Sequence, residues 1–191
     1  MRGWNHNAHY HPYVLAAVPG GARRALDVGC GVGDLAHELA ARVETVDAID
    51  RDGGAIARAR ARATRPNIRF SEADFLAIDS SDYDLVTMVA VLHHLPLEAA
   101  LARIPALLRP GGSCAIVGLA RTHGLEHLAS VAAWPVSQWL RRTRPRAPVD
   151  APISEPHETL AEIRAAAAGH LPGARIERRL LWRYTLVWTK P

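Results

Sequence analysis

The sequence predicts a single α/β domain with a Rossmann-like, doubly wound sheet. Short apolar runs alternate with stretches of helical period from residue 25 to residue 118, which is typical of a parallel sheet with helices on both faces. The first run breaks into a glycine-rich turn, and two strand-like segments follow one another at the end of the chain. We therefore predict a mostly parallel seven-stranded sheet with an antiparallel last strand. At 191 residues, the chain is long enough for one such domain, residues 1–191, and too short for two of ordinary size.

Composition limits the function classes. Hydrophobic residues make up 49% of the chain and charged residues 22%, as in ordinary globular proteins. The two cysteines, Cys30 and Cys114, cannot form a disulfide scaffold, and with no leader or long apolar run in the sequence we expect a cytoplasmic protein without a membrane partner. The net charge of +4 comes from arginines scattered along predicted helices rather than gathered in one stripe, which argues against a nucleic-acid partner.

Residues 4–13 combine three histidines, two asparagines and three aromatic residues, so the segment is too polar for a core element and too aromatic for a disordered tail. Two interpretations stay open. Residues 1–21 form either a cap that folds over a ligand or an ordered arm that packs its rings on the domain. His9, Tyr10 and His11 are candidate general bases. The spacing of His6, His9 and His11 predicts no metal site, because nothing fixes three ligands at that spacing on a known element. A short helix is expected over residues 14–18, before a Pro-Gly-Gly turn.

The apolar run at residues 25–28 ends in three glycines at alternate positions, and helical spacing follows. Glycine serves where the backbone takes positive φ or where a ligand comes close, and a helix start presents unpaired N–H groups. This stretch indicates a ligand cradle. The NAD fingerprint G-x-G-x-x-G shares only its first two glycines, which leaves a NAD-dependent oxidoreductase as an alternative. The cradle candidates are Asp27, Gly29, Cys30, Gly31 and Gly33.

The next two strands each lead to an acidic residue. The strand at residues 45–50 ends in Asp50, where nucleotide-binding βαβ folds place the acid that hydrogen-bonds a ribose, with Arg51 beside it. Asp52 fits better as the cap of a helix over residues 53–64. Strand three, at residues 68–72, is followed by Asp74 and Phe75. An acid at this place can accept from an adenine amine while the aromatic ring or its backbone lines the base.

The remaining elements complete the sheet. Strand four begins at residue 83 and runs into Val89, followed by Leu-His-His-Leu with His93 and His94. A helix over residues 97–108 should kink at Pro105, and an Arg-Pro-Gly-Gly turn leads into strand five at residues 113–118. A helix over residues 158–169 precedes the two final strands, predicted at residues 175–181 and 182–188.

Taken together, the Asp-x-Gly-x-Gly-x-Gly, Glu-Ala-Asp-Phe, Tyr-Asp-Leu-Val, Leu-His-His-Leu and Leu-Leu-Arg-Pro-Gly-Gly stretches resemble the class I S-adenosylmethionine (SAM)-dependent methyltransferases over residues 25–118. The resemblance implies that SAM is the cofactor. It places the methionine portion and sulfonium at Asp27 and the glycines, the ribose at Asp50, and the adenine at Asp74 and Phe75. The base-holding and Pro-Cys sequences of nucleic-acid methyltransferases are absent, which favours the small-molecule branch of the family.

The same resemblance implies that residues 119–152 form a substrate lid, with Trp134 and Trp139 as candidate pocket walls. Methyl transfer to oxygen or nitrogen of a small molecule is favoured over transfer to carbon. A general base is needed only where the acceptor must lose a proton. An inactive SAM-fold partner protein remains an alternative, and the oligomeric state is left open. The candidate bases are His9, Tyr10, His11, His93 and His94.

Overall fold

A computed structural model of the chain describes residues 8–121, 156–179 and 183–191, so most of the predicted lid, with Trp134 and Trp139, lies outside the described residues. The strands are β1 (Arg24–Val28), β2 (Thr45–Asp50), β3 (Ile68–Glu72), β4 (Tyr83–Val89), β5 (Leu108–Leu119), β6 (Arg175–Arg178) and β7 (Arg183–Thr189). The α-helices are α1 (His11–Leu15), α2 (Asp34–Leu39), α3 (Gly53–Ala61), α4 (Leu97–Leu107) and α5 (Leu160–His170). None of the described helices is long and apolar enough to cross a membrane.

The seven strands form one sheet in the order β3-β2-β1-β4-β5-β7-β6. The pairs among β1 to β5 are all parallel, and β7 runs antiparallel to both of its neighbours. The predicted fold class is therefore confirmed, including the antiparallel last strand. Strand order reverses at β1, which has β2 on one side and β4 on the other. Ligands of doubly wound folds bind outside the carboxyl ends of the strands at such a reversal.

Apolar side chains cover both faces of the sheet. On one face, Leu101 of α4 and Ile163 of α5 belong to a cluster that includes Met88 of β4. On the other face, α2 and α3 pack their apolar residues, among them Leu39 and Ile56, against the β1–β2 side of the sheet. Each fully buried aliphatic side chain of this kind contributes about 1.5–3 kcal/mol relative to exposure. The helical period read from the sequence thus identified the faces that meet the sheet.

Several element boundaries differ from the predictions. The strand predicted from residue 113 begins at Leu108, directly after α4, because Leu108 pairs with Tyr83 at the start of β4. The helix expected over residues 14–18 is α1, which begins earlier and carries a proline in its first turn, where the missing N–H costs nothing. The α5 helix begins after Thr159, whose hydroxyl and Glu162 form a capping box.

Lys190, which follows β7, binds the C-terminal end of α4. The Lys190 Nζ donates hydrogen bonds to the carbonyl oxygens of Pro105, at 2.8 Å, and Leu108, at 2.7 Å. These carbonyls end a helix and have no intrahelical donors, so a cation close to them satisfies the acceptors and opposes the helix dipole. Lys190 is the single lysine of the sequence.

Replacing Lys190 with methionine is expected to lower the free energy of unfolding by about 1–2 kcal/mol, because both carbonyls lose a charged donor while the aliphatic stem is kept. Denaturant unfolding followed by circular dichroism measures this loss. Arg69→Met, on the exposed side of edge strand β3, is the matched control and should change stability by less than about 0.5 kcal/mol. Equal effects of the two variants would contradict this role of Lys190.

Candidate functional site

The glycine bend after β1 holds three residues in left-handed conformations, with φ of 65° at Gly29, 55° at Gly31 and 85° at Gly33. A Cβ on Gly29 would lie 2.2 Å from Val91 Cγ2, and a Cβ on Gly33 would lie 2.8 Å from the Phe70 ring. At Gly31 nothing lies within 4 Å of that position. Packing inside the protein therefore requires two of the glycines, while Gly31 leaves open space at the bend, as a cradle for a ligand needs.

The tip of β2 is joined to this bend. Cys30 N–H donates to the Ile49 carbonyl at 2.9 Å, and Gly31 N–H donates to Asp50 Oδ2 at 2.8 Å. The other Asp50 oxygen, Oδ1, accepts from Asp52 N–H at 3.0 Å. Burial raises the pKa of the Cys30 thiol, so this side chain stays a neutral thiol. The structure thus brings Asp50 and the glycine bend together, as the sequence predicts.

Asp27 is the buried acid of the site. Its side chain is 2% exposed, and its Oδ1 accepts a hydrogen bond from the Thr87 hydroxyl at 2.9 Å. Its Oδ2 is buried without a hydrogen-bond partner among the described residues. Burial raises the pKa of Asp27 to about 7; the Thr87 bond opposes this shift and the nearby charge of Asp50 adds to it. A buried carboxylate oxygen beside an open cradle fits a cationic ligand group.

The residues after β3 lie next to this acidic region. Asp74 caps the short 3-10 turn Phe75–Ala77, with Leu76 N–H donating to its Oδ1 at 2.9 Å. The sequence predicted that either the Phe75 ring or its backbone lines the adenine. Because the ring is buried in the core, only the backbone remains available for this contact. The exposed Arg51 side chain reaches Asp74, with 3.9 Å between Nε and Oδ2. The Asp52 carboxylate caps α3, as predicted, by accepting from Gly54 N–H at 2.8 Å.

The chain leaves β4 through a strained turn. Val89 is half-buried at the end of the strand, and Ala90 after it takes a φ of 59°, a region that non-glycine residues rarely adopt. Ala90 N–H is held by the Val117 carbonyl of β5 at 2.7 Å. Strain of this kind persists where neighbouring structure enforces it, commonly at binding sites. The turn delivers the two histidines of the Leu-His-His-Leu stretch to the carboxyl edge of the sheet.

His93 and His94 lie against each other, with 3.9 Å between ring centroids. His94 is exposed, whereas His93 is half-buried and its Nδ1 has no hydrogen-bond partner among the described residues. Burial is the main cause that lowers the pKa of His93 to about 4, with smaller electrostatic contributions from the neighbouring His94, Arg183 and His157 side chains. His93 is therefore neutral at physiological pH, with one polar ring atom available to a ligand.

The N-terminal segment packs on the domain. Tyr10 is 3% exposed and belongs to the cluster that covers one face of the sheet, and burial raises the pKa of its hydroxyl. His11 is also buried and contacts Glu38 of α2, with 3.1 Å between Nδ1 and Oε1. His9 is exposed and lies edge-on to the Tyr10 ring at 5.1 Å. The described part of the segment matches the ordered-arm interpretation; its reach over a ligand stays a prediction.

Two residues of the site were missed from the sequence. Thr87 is the polar residue in the middle of β4 and pairs in register with Asp27. Arg183 begins β7 opposite Leu119 at the carboxyl end of β5; it is 8% exposed and its guanidinium lies 5.3 Å from the Tyr10 ring centroid. Thr87 stands among the apolar residues of β4, which was a signal for it, whereas Arg183 is the first residue of β7 and only strand pairing shows that it reaches this edge.

The site has two halves with different chemistry. An acidic half at the tips of β1, β2 and β3 carries Asp27, Asp50 and Asp74. A histidine, arginine and aromatic half at the tips of β4, β5 and β7 carries His93 and Arg183. The first half suits a ligand with cationic and hydroxyl groups, and the second offers a guanidinium and a histidine ring nitrogen. Among the described residues, no three His, Cys, Asp or Glu side chains are grouped as a metal site would require.

Comparison with known proteins identifies relatives over almost the whole chain. A family model described as "Methyltransferase domain" matches residues 25–112. "Uncharacterized methyltransferase Rv0089" of Mycobacterium tuberculosis is 37% identical over 195 residues, which cover 98% of each protein. A ubiquinone biosynthesis O-methyltransferase of Xanthomonas oryzae pv. oryzae is 33% identical over 136 residues, or 68% of this chain and 57% of that protein.

A solved structure has the same fold. The N-methyltransferase NodS from Bradyrhizobium japonicum WM9, in complex with S-adenosyl-L-homocysteine, superposes with a TM-score of 0.64 at 16% identity. The match covers 96% of this chain and 87% of NodS. At this identity the likeness concerns the fold, and the sequence relatives carry the family assignment.

Proposed function

Because the chain belongs to the class I SAM-dependent methyltransferases, we propose that it transfers the methyl group of SAM to an oxygen or nitrogen of a small-molecule acceptor. The family assignment makes the protein an enzyme with SAM as cofactor, and it decides against the NAD-dependent and inactive-scaffold alternatives. The observation that carries the proposal is a buried acid, Asp27, beside the open space at Gly31, with a second buried polar group, Arg183, at the carboxyl edge of the same sheet.

The acidic half fits SAM, because the unpartnered buried oxygen of Asp27 matches a cationic group of the ligand. In our proposal, Asp27 and the backbone at Gly29, Cys30, Gly31 and Gly33 hold the methionine portion on the sulfonium side. Asp50 binds the ribose hydroxyls. Asp74 and the Phe75 backbone bind the adenine, with Arg51 and Val89 at the margins. When bound, SAM supplies a methyl group activated by the sulfonium.

The protein's contribution to the reaction is then mainly positioning. Holding two reactants in line can supply about 7–11 kcal/mol of the barrier reduction. The sheet fixes Asp27 and Asp50 through hydrogen bonds to neighbouring strands and backbone, so the cofactor side is preorganised. The second half-site, at Arg183 and His93, would hold the acceptor.

A general base is required only where the acceptor must lose a proton. The candidate bases remain those proposed from the sequence: His9, Tyr10, His11, His93 and His94. Tyr10 keeps its proton at neutral pH because burial raises its pKa, and His93 is a weak base because its pKa is about 4. His11 is engaged with Glu38. His9 and His94 are the exposed members of this set.

Titration calorimetry with SAM and with NAD, followed by transfer of tritium from methyl-labelled SAM, tests the proposal. We expect SAM binding and label in the small-molecule fraction of a cell extract after ultrafiltration. Label in protein or nucleic acid would contradict a small-molecule acceptor. The cytoplasm remains our proposed location, supported by the free thiols of Cys30 and Cys114 in the described chain.

Replacing Asp50 with alanine is expected to weaken SAM binding by about 1–3 kcal/mol, roughly 5- to 150-fold, because ribose hydroxyls lose their acceptor and Gly31 N–H loses its partner. Calorimetry measures the change. Asp52→Ala is the matched control, since that carboxylate caps α3 and its loss should cost about 0.5–2 kcal/mol of stability with SAM affinity unchanged. Unchanged affinity in Asp50→Ala would remove Asp50 from the site.

A further inference from the structure

Arg183 is a buried cation on the acceptor side of the site. It begins β7 opposite Leu119, its side chain is 8% exposed, and its guanidinium lies over the Tyr10 ring. Burial lowers its pKa, with the Tyr10 hydroxyl opposing the shift. Enclosure by an aromatic ring and a sheet edge restricts the guanidinium to few orientations. An arginine held in this way presents a fixed fork of donors, the geometry that binds carboxylates.

His93 supplies a second polar group on the same side. Its buried Nδ1 has no hydrogen-bond partner among the described residues, and buried polar atoms of this kind are ordinarily satisfied by a ligand or water. Arg183, His94 and His157 all lie close enough for their charges to act on His93. The groups that face His93 from β7, from the turn after β4 and from the segment before α5 are therefore the Arg183 guanidinium and two further histidine rings.

The two halves of the site differ in charge. Asp27, Asp50 and Asp74 stand at the tips of β1 to β3, on the side proposed for SAM. The Arg183 guanidinium stands on the other side, where Tyr10 and His93 are neutral at physiological pH. A second reactant that binds beside a buried guanidinium is favoured electrostatically when it is negative.

We infer that Arg183 and His93 bind a carboxylate of the methyl acceptor, so that the acceptor is a small organic acid. In this arrangement the Arg183 fork donates to the two carboxylate oxygens, and a neutral His93 donates through Nδ1–H in the matching tautomer. The inference rests on the proposed methyltransferase function and names the substrate class of the same site.

Charge fractionation tests the substrate class. A small-molecule extract of bacterial cells is split on an anion-exchange resin, and each fraction is incubated with the enzyme and methyl-tritiated SAM. We expect label in products of the retained, anionic fraction. Treating that fraction with a carbodiimide and methylamine, which converts carboxylates to amides, should abolish the labelling. Labelling confined to the unretained fraction, or labelling that survives amide formation, would overturn the inference.

Variants of Arg183 test the site. Arg183→Met should raise the KM for the acceptor in the retained fraction by about 10- to 100-fold, as loss of hydrogen bonds to a charged group predicts, with SAM affinity unchanged. Arg183→Lys keeps the charge, guards against a folding defect and should recover part of the loss. Arg175→Met, an exposed position on β6, is the matched control. An acceptor KM unchanged in Arg183→Met would overturn the inference.

The failure of this inference can be separated from failure of the proposed function. SAM binding together with labelling of a neutral or cationic small molecule would leave the methyltransferase proposal in place and remove only the carboxylate. SAM binding with label confined to macromolecules would contradict the proposed function itself, and the inference with it.

Discussion

Asp27→Asn is expected to weaken SAM binding by about 10- to 100-fold and, in the same variant, to stabilise the free protein at neutral pH. The substitution keeps the shape and leaves an amide oxygen to accept from Thr87, so the backbone is not disturbed. It removes a buried negative charge that faces a cationic ligand, and hydrogen bonds to charged groups are worth about 1.5–3 kcal/mol. Titration calorimetry at pH 8 measures the affinity, with Asp79→Asn, an exposed loop position, as control.

The opposite effect on stability follows from proton linkage. The pKa of Asp27 is raised by burial from 3.8 to about 7 in the folded protein. Between these values the folded state holds a proton that the unfolded chain releases, so the free energy of unfolding falls as pH rises through this window. Above this window the buried charge of Asp27 lowers the free energy of unfolding of the wild type by its full amount. That amount is at most about 4 kcal/mol, because each unit of pKa shift corresponds to 1.36 kcal/mol. Denaturant unfolding should show that the free energy of unfolding of Asp27→Asn exceeds that of the wild type by more at pH 8 than at pH 5.

The same titration makes SAM binding depend on pH. A cation at Asp27 favours the carboxylate, so the wild type should release a proton on binding below about pH 7 and lose up to about tenfold in affinity per pH unit lowered. Calorimetry in two buffers of different ionisation enthalpy counts the protons. Proton release of the same size in Asp27→Asn would show that another group titrates and would contradict this account.

The sheet and the acidic half of the site were accessible to sequence analysis because their signals are local. Apolar runs, a glycine bend and the acids that follow each strand are read within a few residues, and strand ends of a parallel sheet meet at one edge. Asp52 is an example, since the cap and the amide it binds are two residues apart. The helical period likewise gave the buried faces of α2 and α4.

The features that the sequence did not reveal depend on contacts between distant segments. Gly29 and Gly33 look equivalent to Gly31 in the sequence. Only the structure shows that Val91 leaves no room for a side chain at position 29 and that Phe70 leaves none at position 33. Arg183 lies 173 residues beyond the Tyr10 ring it covers, and only the β5–β7 register brings it to this edge. Burial converts Asp27 from an ordinary acid into one with a pKa of about 7, and burial is a property of the packed domain.

Asp84→Ala is expected to lower the free energy of unfolding by about 3–5 kcal/mol, a large part of the 5–15 kcal/mol that a domain of this kind has. Asp84 is 2% exposed at the start of β4, and its Oδ2 accepts from the backbone N–H groups of Arg23 and Arg24 at 2.7 Å each. Its Oδ1 forms an ion pair with Arg109 of β5. The Asp84 carboxylate thereby connects the starts of the adjacent strands β1, β4 and β5, at the end of the sheet opposite the site.

A series of variants separates these contributions. Asp84→Asn keeps an oxygen for both backbone N–H groups and loses the ion pair, so its loss should be smaller than that of alanine. Arg109→Ala removes a half-exposed partner and leaves both hydrogen bonds from the backbone to Asp84. Its loss of free energy of unfolding should therefore be smaller than that of either Asp84 variant. Denaturant unfolding of the three variants at pH 7.5 gives the order. Because the cradle lies at the other end of the strands, folded Asp84→Asn should bind SAM as the wild type does; equal stability of Asp84→Ala and Arg109→Ala would show that the backbone bonds contribute nothing beyond the ion pair.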